Sequence, residues 1–238
     1  MITGSYTNLT YHGYLYGAYG YYGYYETWYQ HYPYPFLPHA ISIVTTPPAE
    51  EPFTLDEAKL RANFTWPSPD ERDAMITSFI SAARAKVEFD TGLSLIDQTR
   101  AIYLDTVQSN VILLPDHSMP LQSVESIVTI DRDGNSSVVD PATYVVDFAS
   151  ARIALVQGQY WPTNLRNFQP WQITITAGWP DAATFARMSP ELYHAVGLLI
   201  AHYCTLGRDL ATIERGTLDE IPQGYSELIA PYQVITVV

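Results

Sequence analysis

The strongest constraint on this chain is a double change of hydrophobic period. Between about residues 69 and 91, apolar side chains recur at helical spacing. From 99 to 179 the period drops to two, in short runs rich in β-branched and aromatic residues. From 190 to 206 the helical spacing returns. A chain patterned this way folds as an α+β protein, with a helix pair, an inserted β-rich region and a later long helix.

Local signals set the element ends. TLDE at Thr54–Glu57 is a capping box, placing a first helix at about 54–64. SPDE at Ser68–Glu71 repeats the device with Pro69 in the first helical position, which predicts a second helix over 69–91. That helix presents Met75, Phe79, Ile80, Ala83 and Val87 on one face and stops at Gly92. TRAIYLDTV, NVILLP, SVESIVTID, TYVVDF, RIALV and WQITITAGW supply about six strands, with a hairpin turn at DRDGN, Asp131–Asn135. SPEL at Ser189–Leu192 starts the last long helix, which buries Leu192, Val196, Leu199, Ile200 and Tyr203 and ends at Gly207. The single cysteine, Cys204, sits among apolar neighbours and reads as a small buried hydrophobe.

The ends differ from this body. Residues 1–40 hold twelve of the nineteen tyrosines and no lysine or arginine. Their irregular glycine and tyrosine spacing is low-complexity and predicts an extended docking arm. Its contact residues are expected to be Tyr16, Tyr19, Tyr21, Tyr22, Tyr24, Tyr25, Trp28, Tyr29, Tyr32, Tyr34 and Phe36. Tyrosine gives a large amphipathic contact area with few rotatable bonds, which suits a recognition surface. Residues 41–52 read as a short strand running into a proline-rich linker, and 53–238 as the main domain. The terminal YSELIAPYQVITVV, residues 225–238, is apolar and β-prone and reads as an extended segment that docks on something.

Chemistry is harder to find. There is no GxxxxGK[ST], no GxGxxG between a strand and a helix, no HExxH and no GxSxG. DRDGNSSVVDPA imitates a calcium loop through Asp131, Asp133 and Asn135. Its glycine is at the fourth position instead of the sixth, however, and Ala142 stands where a bidentate glutamate belongs. His194 and His202 are too far apart on one helix to share a metal ion. No run of about 18 apolar residues marks a membrane span, and the start lacks the pattern of a signal peptide. The sequence therefore predicts no enzyme, no cofactor and no membrane partner. The net charge of −13 removes the basic surface that nucleic-acid binding relies on.

Several stretches resemble the head–tail connector, or adaptor, proteins of tailed bacteriophages. TPPAEEPFTLDEAKLRANF followed by DERDAMITSFISAARAKVEFDTGLSLIDQTRAIYLD is similar to that family's opening. Asp73, Met75, Ile76, Ile80, Ala82, Ala83, Arg84, Val87, Glu88, Thr91, Gly92, Gln98 and Thr99 fall on matching places. ILLPDHSMPLQSVESIVTIDRDG, WQITITAGWPD, SPELYHAVGLLIAHYCTLG and PQGYSELIAPYQV continue the resemblance in order, over about residues 45–233. Trp179 replaces a usual tyrosine and Gln233 a usual arginine, and the tyrosine-rich start has no counterpart.

The resemblance implies a structural virion protein at the head–tail junction, or neck, assembled in the host bacterial cytoplasm. It implies a ring of about twelve copies, which needs head-to-tail surfaces that close by rotation. That ring would sit beneath the portal protein, carry the tail, stopper or fibre proteins, and let genomic DNA pass without specific binding. Tyr225, Leu228, Ile229, Tyr232, Ile235 and Val237 are then candidates for gripping the portal or a neighbour. Asp131, Asp133 and Asn135 are candidates for the channel or tail-side surface. The alternative is a carbohydrate-binding or adhesion module that uses the tyrosines as stacking platforms.

Overall fold

The computed structural model describes residues 40–107, 109–208 and 223–233, all within one compact unit, Pro38–Val238. The predicted tyrosine-rich arm lies outside the described residues, as do Ile235 and Val237.

Two cores organise the described part. The first is helical and is built from α1 (Leu55–Arg61), α2 (Asp73–Thr91), α3 (Ala182–Met188), α4 (Pro190–Arg208) and α5 (Gln223–Ile229). The second lies between two antiparallel sheets. The larger sheet contains β1 (Ala40–Thr46), β2 (Gln98–Leu104), β4 (Leu121–Ile130), β5 (Ser136–Val138) and β8 (Trp171–Ala177), in the order β1-β2-β8-β4-β5. The smaller contains β3 (Val111–Leu113), β6 (Tyr144–Asp147) and β7 (Arg152–Leu155), in the order β3-β7-β6.

Helix α1 begins as its sequence predicts. Glu57 N–H donates to Thr54 Oγ1 at 3.3 Å, and Thr54 N–H donates to Glu57 Oε2 at 2.8 Å. The expected 54–64 span contracts to seven residues, closed at Ala62.

Helix α2 starts at Asp73, not at Pro69. Ser68 does not cap it, because its hydroxyl accepts from Lys59 Nζ at 2.5 Å. Asp73 instead gathers the donors ahead of the helix, accepting Asp70 N–H at 3.0 Å and Trp66 Nε1–H at 3.3 Å. The buried stripe is Ile76, Ile80, Ala83 and Val87. Met75, expected on that face, is exposed, since one residue is a 100° rotation and Ile76 occupies the inward position. Gly92 ends the helix in the left-handed conformation at φ 68°, its N–H bonded to the Glu88 carbonyl.

Helix α4 begins at Pro190 and continues to Arg208, slightly beyond the expected end. Its buried side chains include Leu192, Val196, Leu199 and Ile200, with Cys204 at 1% exposure, and Tyr203 is half-buried. Helix α3 was not expected. Asp181 accepts Thr184 N–H at 2.6 Å, a short capped turn that sends Phe185 fully into the helical core.

The C-terminal segment is also a correction. Gln223–Ile229 is helical and is followed by a single 3₁₀ turn at Ala230–Tyr232. Tyr225 and Ile229, four apart, both face the helical core, and that burial favours helix over an extended strand.

The β region holds seven strands between α2 and α3, against the six expected. The addition is β5, the short return arm of the Asp131–Asn135 hairpin. Strands β2, β8 and β4 pair in register so that Ile102, Ile173 and Ile127 stand side by side facing inward. Ile112 and Ile153 of the smaller sheet close over them. Trp161 meets Trp171 edge-on at 5.5 Å.

The two cores meet at a backbone seam. Asp97 N–H donates to the Trp179 carbonyl at 2.8 Å, and Gly178 N–H to the Pro120 carbonyl at 2.8 Å. Gly178 has φ +118°, and a Cβ there would drive into the Ile96 carbonyl. The AGW stretch thus needs glycine twice, for its conformation and for the close approach.

Candidate assembly surfaces

The residues expected to carry function divide into three groups. In the first, the C-terminal segment, Tyr225 is 2% exposed and its hydroxyl donates to Asp90 Oδ2 on α2 at 2.5 Å. Burial, together with that bond, pushes the Tyr225 phenol well above its ordinary value. Ile229 is equally buried, while Leu228 and Tyr232 are half-buried at the edge of the same core. The Tyr232 hydroxyl reaches Glu191 Oε2 at 3.3 Å. The chain thus brings four of the six segment candidates onto its own helices.

The second group is the hairpin. Asp131 Oδ1 accepts the backbone N–H of Asp133 at 2.9 Å and of Asn135 at 2.8 Å, and Oδ2 accepts Asn135 Nδ2 at 3.0 Å. These bonds, led by the Asn135 side chain, hold the Asp131 carboxyl below its usual range. Gly134 at φ +87° completes the turn. The three residues are brought together, and both Asp131 carboxylate oxygens accept from its own loop. No group of His, Cys, Asp and Glu among the described residues is arranged to hold a metal ion. Arg132, Arg166 and Asn167 line a shallow notch at the same end of the sheet.

The third group is the arm, whose eleven aromatic candidates lie outside the described residues. The strand that follows it, β1, is the outermost strand of the larger sheet and pairs only with β2 among the described residues. The segment expected as a linker is fastened to the body. Glu51 receives Arg84 Nε at 2.7 Å, and Glu50 receives Ala182 N–H at 2.6 Å.

Glu50, Glu57 and Asp181 also line an open cleft together with Tyr193. Arg61 stacks beside it, its guanidinium 4.7 Å from the Phe53 ring and 5.5 Å from the Tyr193 ring. On α2, Glu88 accepts Arg84 Nη1 at 2.8 Å, Leu95 N–H at 2.9 Å and Gln98 Nε2 at 3.1 Å. Desolvation raises the Glu88 carboxyl above its ordinary value in spite of Arg84. Sequence reasoning found Arg84, Glu88 and Gln98 only as matched motif positions. The structure shows that they form one polar knot that fastens α2 to the start of β2.

No known protein family and no curated protein matches this sequence. Solved structures do match the fold. A chain in the neck of an empty gene transfer agent particle, computed with C6 symmetry, is 24% identical with a TM-score of 0.66. That alignment covers 83% of this chain and 97% of the other. A chain in the virion of the native particle is 21% identical at TM-score 0.64, with the same coverage. A chain in the neck of the native particle, computed with C12 symmetry, is 22% identical at TM-score 0.58, covering 85% and 98%. The fold is therefore that of chains found in the necks and virions of phage-like particles.

Proposed function

We propose that this protein is a structural virion component, a head–tail adaptor that assembles with copies of itself into a ring beneath the portal. One observation carries the reading. A fold built from two separate cores is shared over nearly the whole length of a chain from a particle neck, at TM-score 0.66. The independent resemblance of its ordered motifs to adaptor proteins points the same way.

In this reading the work is mechanical. The ring extends the DNA channel, and a net charge of −13 lets the genome slide by offering its phosphates few basic partners. The C-terminal segment remains the candidate for gripping the portal or a neighbouring copy. With Tyr225 and Ile229 committed to the core, the contact falls to Leu228, Tyr232, Ile235 and Val237. The Asp131–Asn135 hairpin, projecting from one end of the sheet, faces the channel or the tail side. The tyrosine-rich arm covers a protein surface in the assembly.

Native mass spectrometry and negative-stain imaging of the full chain, alone and with portal protein, test this reading. A closed ring in either sample is expected. A protein that stays monomeric with portal present, and instead binds glycans, would overturn it in favour of the adhesion reading.

A further inference from the structure

The outer face of the larger sheet is open at its two edge strands and partly exposed between them, with Ala101 at 2% exposure. Pairing registers place Ile41, Tyr103, Gln172, Val128 and Val138 in one row across all five strands. Ile41 is 41% exposed and Val138 67%. The next row on this face begins with Ile43, 50% exposed, and continues through Ala101, Thr174 and Ser126. Neither row contains a charged residue, in a chain of net charge −13. Glu125 lies at the margin, where its carboxylate accepts the Thr176 hydroxyl at 2.6 Å. Strand β1, AISIVTT, bounds this face. It carries none of the charges or prolines that keep an open sheet edge from pairing.

We propose that this face is the docking surface for residues 1–39 of an adjacent copy of the same chain. The inference rests on the self-assembly proposed above and adds to it the surface on which the arm lands. Three observations select this occupant. The arm joins the body at Ala40, the first residue of β1, so it is delivered to the rim of this sheet. It carries one carboxylate, Glu26, and no lysine or arginine, so it adds little charge repulsion against an acidic neighbour.

Its chemistry also fits. A face of isoleucine and valine interleaved with threonine, serine and glutamine offers apolar area for tyrosine rings and partners for their hydroxyls. Reach is ample, because extended chain spans about 3.3–3.6 Å per residue, whereas five strands spaced at about 4.8 Å are only some 20 Å across.

Two single-site variants of the full chain, Tyr22→Cys and Thr174→Cys, are mixed and treated with a short bismaleimide. One carries a size tag so that heterodimers and homodimers separate. Cys204 is buried and does not compete. A tagged–untagged heterodimer is expected, and it should be lost when Thr174→Cys is replaced by Ser78→Cys on the exposed side of α2. Equal yields at the two positions would overturn the proposal. So would an internal cross-link confined to monomers in the double variant, since the arm would then cover its own sheet.

A wild-type chain that forms rings while the mixture gives no heterodimer sinks the arm–sheet contact and leaves the ring standing. A heterodimer without rings does the reverse. Thr174→Lys provides a second reading that needs no cross-link. It places a solvated charge in the middle of the face, and loss of the Tyr22→Cys heterodimer with Val138→Cys in that background is expected. A heterodimer that survives Thr174→Lys unchanged counts against the proposal.

Discussion

The Tyr225 hydroxyl donates to Asp90 Oδ2 at 2.5 Å across 135 residues of sequence, tying the C-terminal helix to α2. Asp90 is shared, because Lys86 Nζ also reaches its Oδ1 at 2.5 Å one helical turn away. Tyr225→Phe keeps the ring in the core and removes the bond, leaving a largely buried carboxylate with one partner. A hydrogen bond to a charged group contributes about 1.5–3 kcal/mol, and a loss of that size is expected in urea denaturation. The pattern of hydrogen-exchange protection should weaken first in α5, the element that the bond anchors.

Gly178 makes a second prediction from backbone geometry alone. At φ +118°, with the Ile96 carbonyl where a Cβ would stand, alanine meets both conformational strain and a backbone clash. Strain of this kind costs about 1–3 kcal/mol, and the clash adds to it because a carbonyl cannot swing aside like a side chain. Gly178→Ala should lower the denaturation midpoint strongly. Gly134→Ala is the comparison: it shares a positive φ of +87° but has no neighbour within 4 Å, so its loss should be smaller.

These two cases show what the sequence could and could not disclose. Thr54 with Glu57, Gly92, Pro190 and the Asp131–Asn135 turn are local devices, complete within a few residues, and each appears where it was expected. Helix α2 starts later than its local sequence predicts, because Ser68, a good cap in isolation, is drawn to Lys59 nine residues away. Helix α5 departs from its local sequence because its stability comes from Tyr225 and Ile229 entering a core formed by α2 and α4, a tertiary effect that β-prone local composition hides. The sheet order depends on β2 pairing with β8 across the whole β region, and no local signal encodes that. The two charge-free rows on the outer face became visible only once the registers were known.

Lys59 and Asp73 supply a prediction with a built-in control. Their atoms are 2.6 Å apart, with the lysine side chain 6% exposed and the aspartate 15%. Lys59 first, against the opposing pull of desolvation, keeps the Asp73 carboxyl below its ordinary 3.8. The stabilisation is therefore present above that pH and lost as pH falls through the lowered value. Asp73→Asn strands a buried ammonium and should lower the urea midpoint without changing its slope. Lys59→Met combined with Asp73→Asn removes the stranded charge and should recover much of the loss.

The hairpin prediction concerns metal. Because both Asp131 oxygens are engaged by its own loop, millimolar calcium or a chelator should leave the melting temperature unchanged. Asp131→Ala should loosen the turn while leaving the two cores intact, seen as faster amide exchange confined to residues 131–138. A calcium-dependent rise in melting temperature would show that the loop opens to take an ion.

Glu88 sets a pH dependence of opposite sign to that of Asp73. Burial holds its carboxyl above the ordinary 4.5, even with Arg84 Nη1 2.8 Å away. The folded state therefore keeps the Glu88 proton at a pH where the unfolded chain has released it. Between 4.5 and the raised folded value the folded state binds more protons, so this group lowers stability as pH rises through that window. Glu88→Gln is uncharged throughout and has no such slope. The stability of wild type minus that of Glu88→Gln, measured by urea denaturation, should be largest below the window, fall across it and level off above. A difference that rises with pH over the same range would mean that Arg84 dominates over burial, and that the charged knot is a net source of stability.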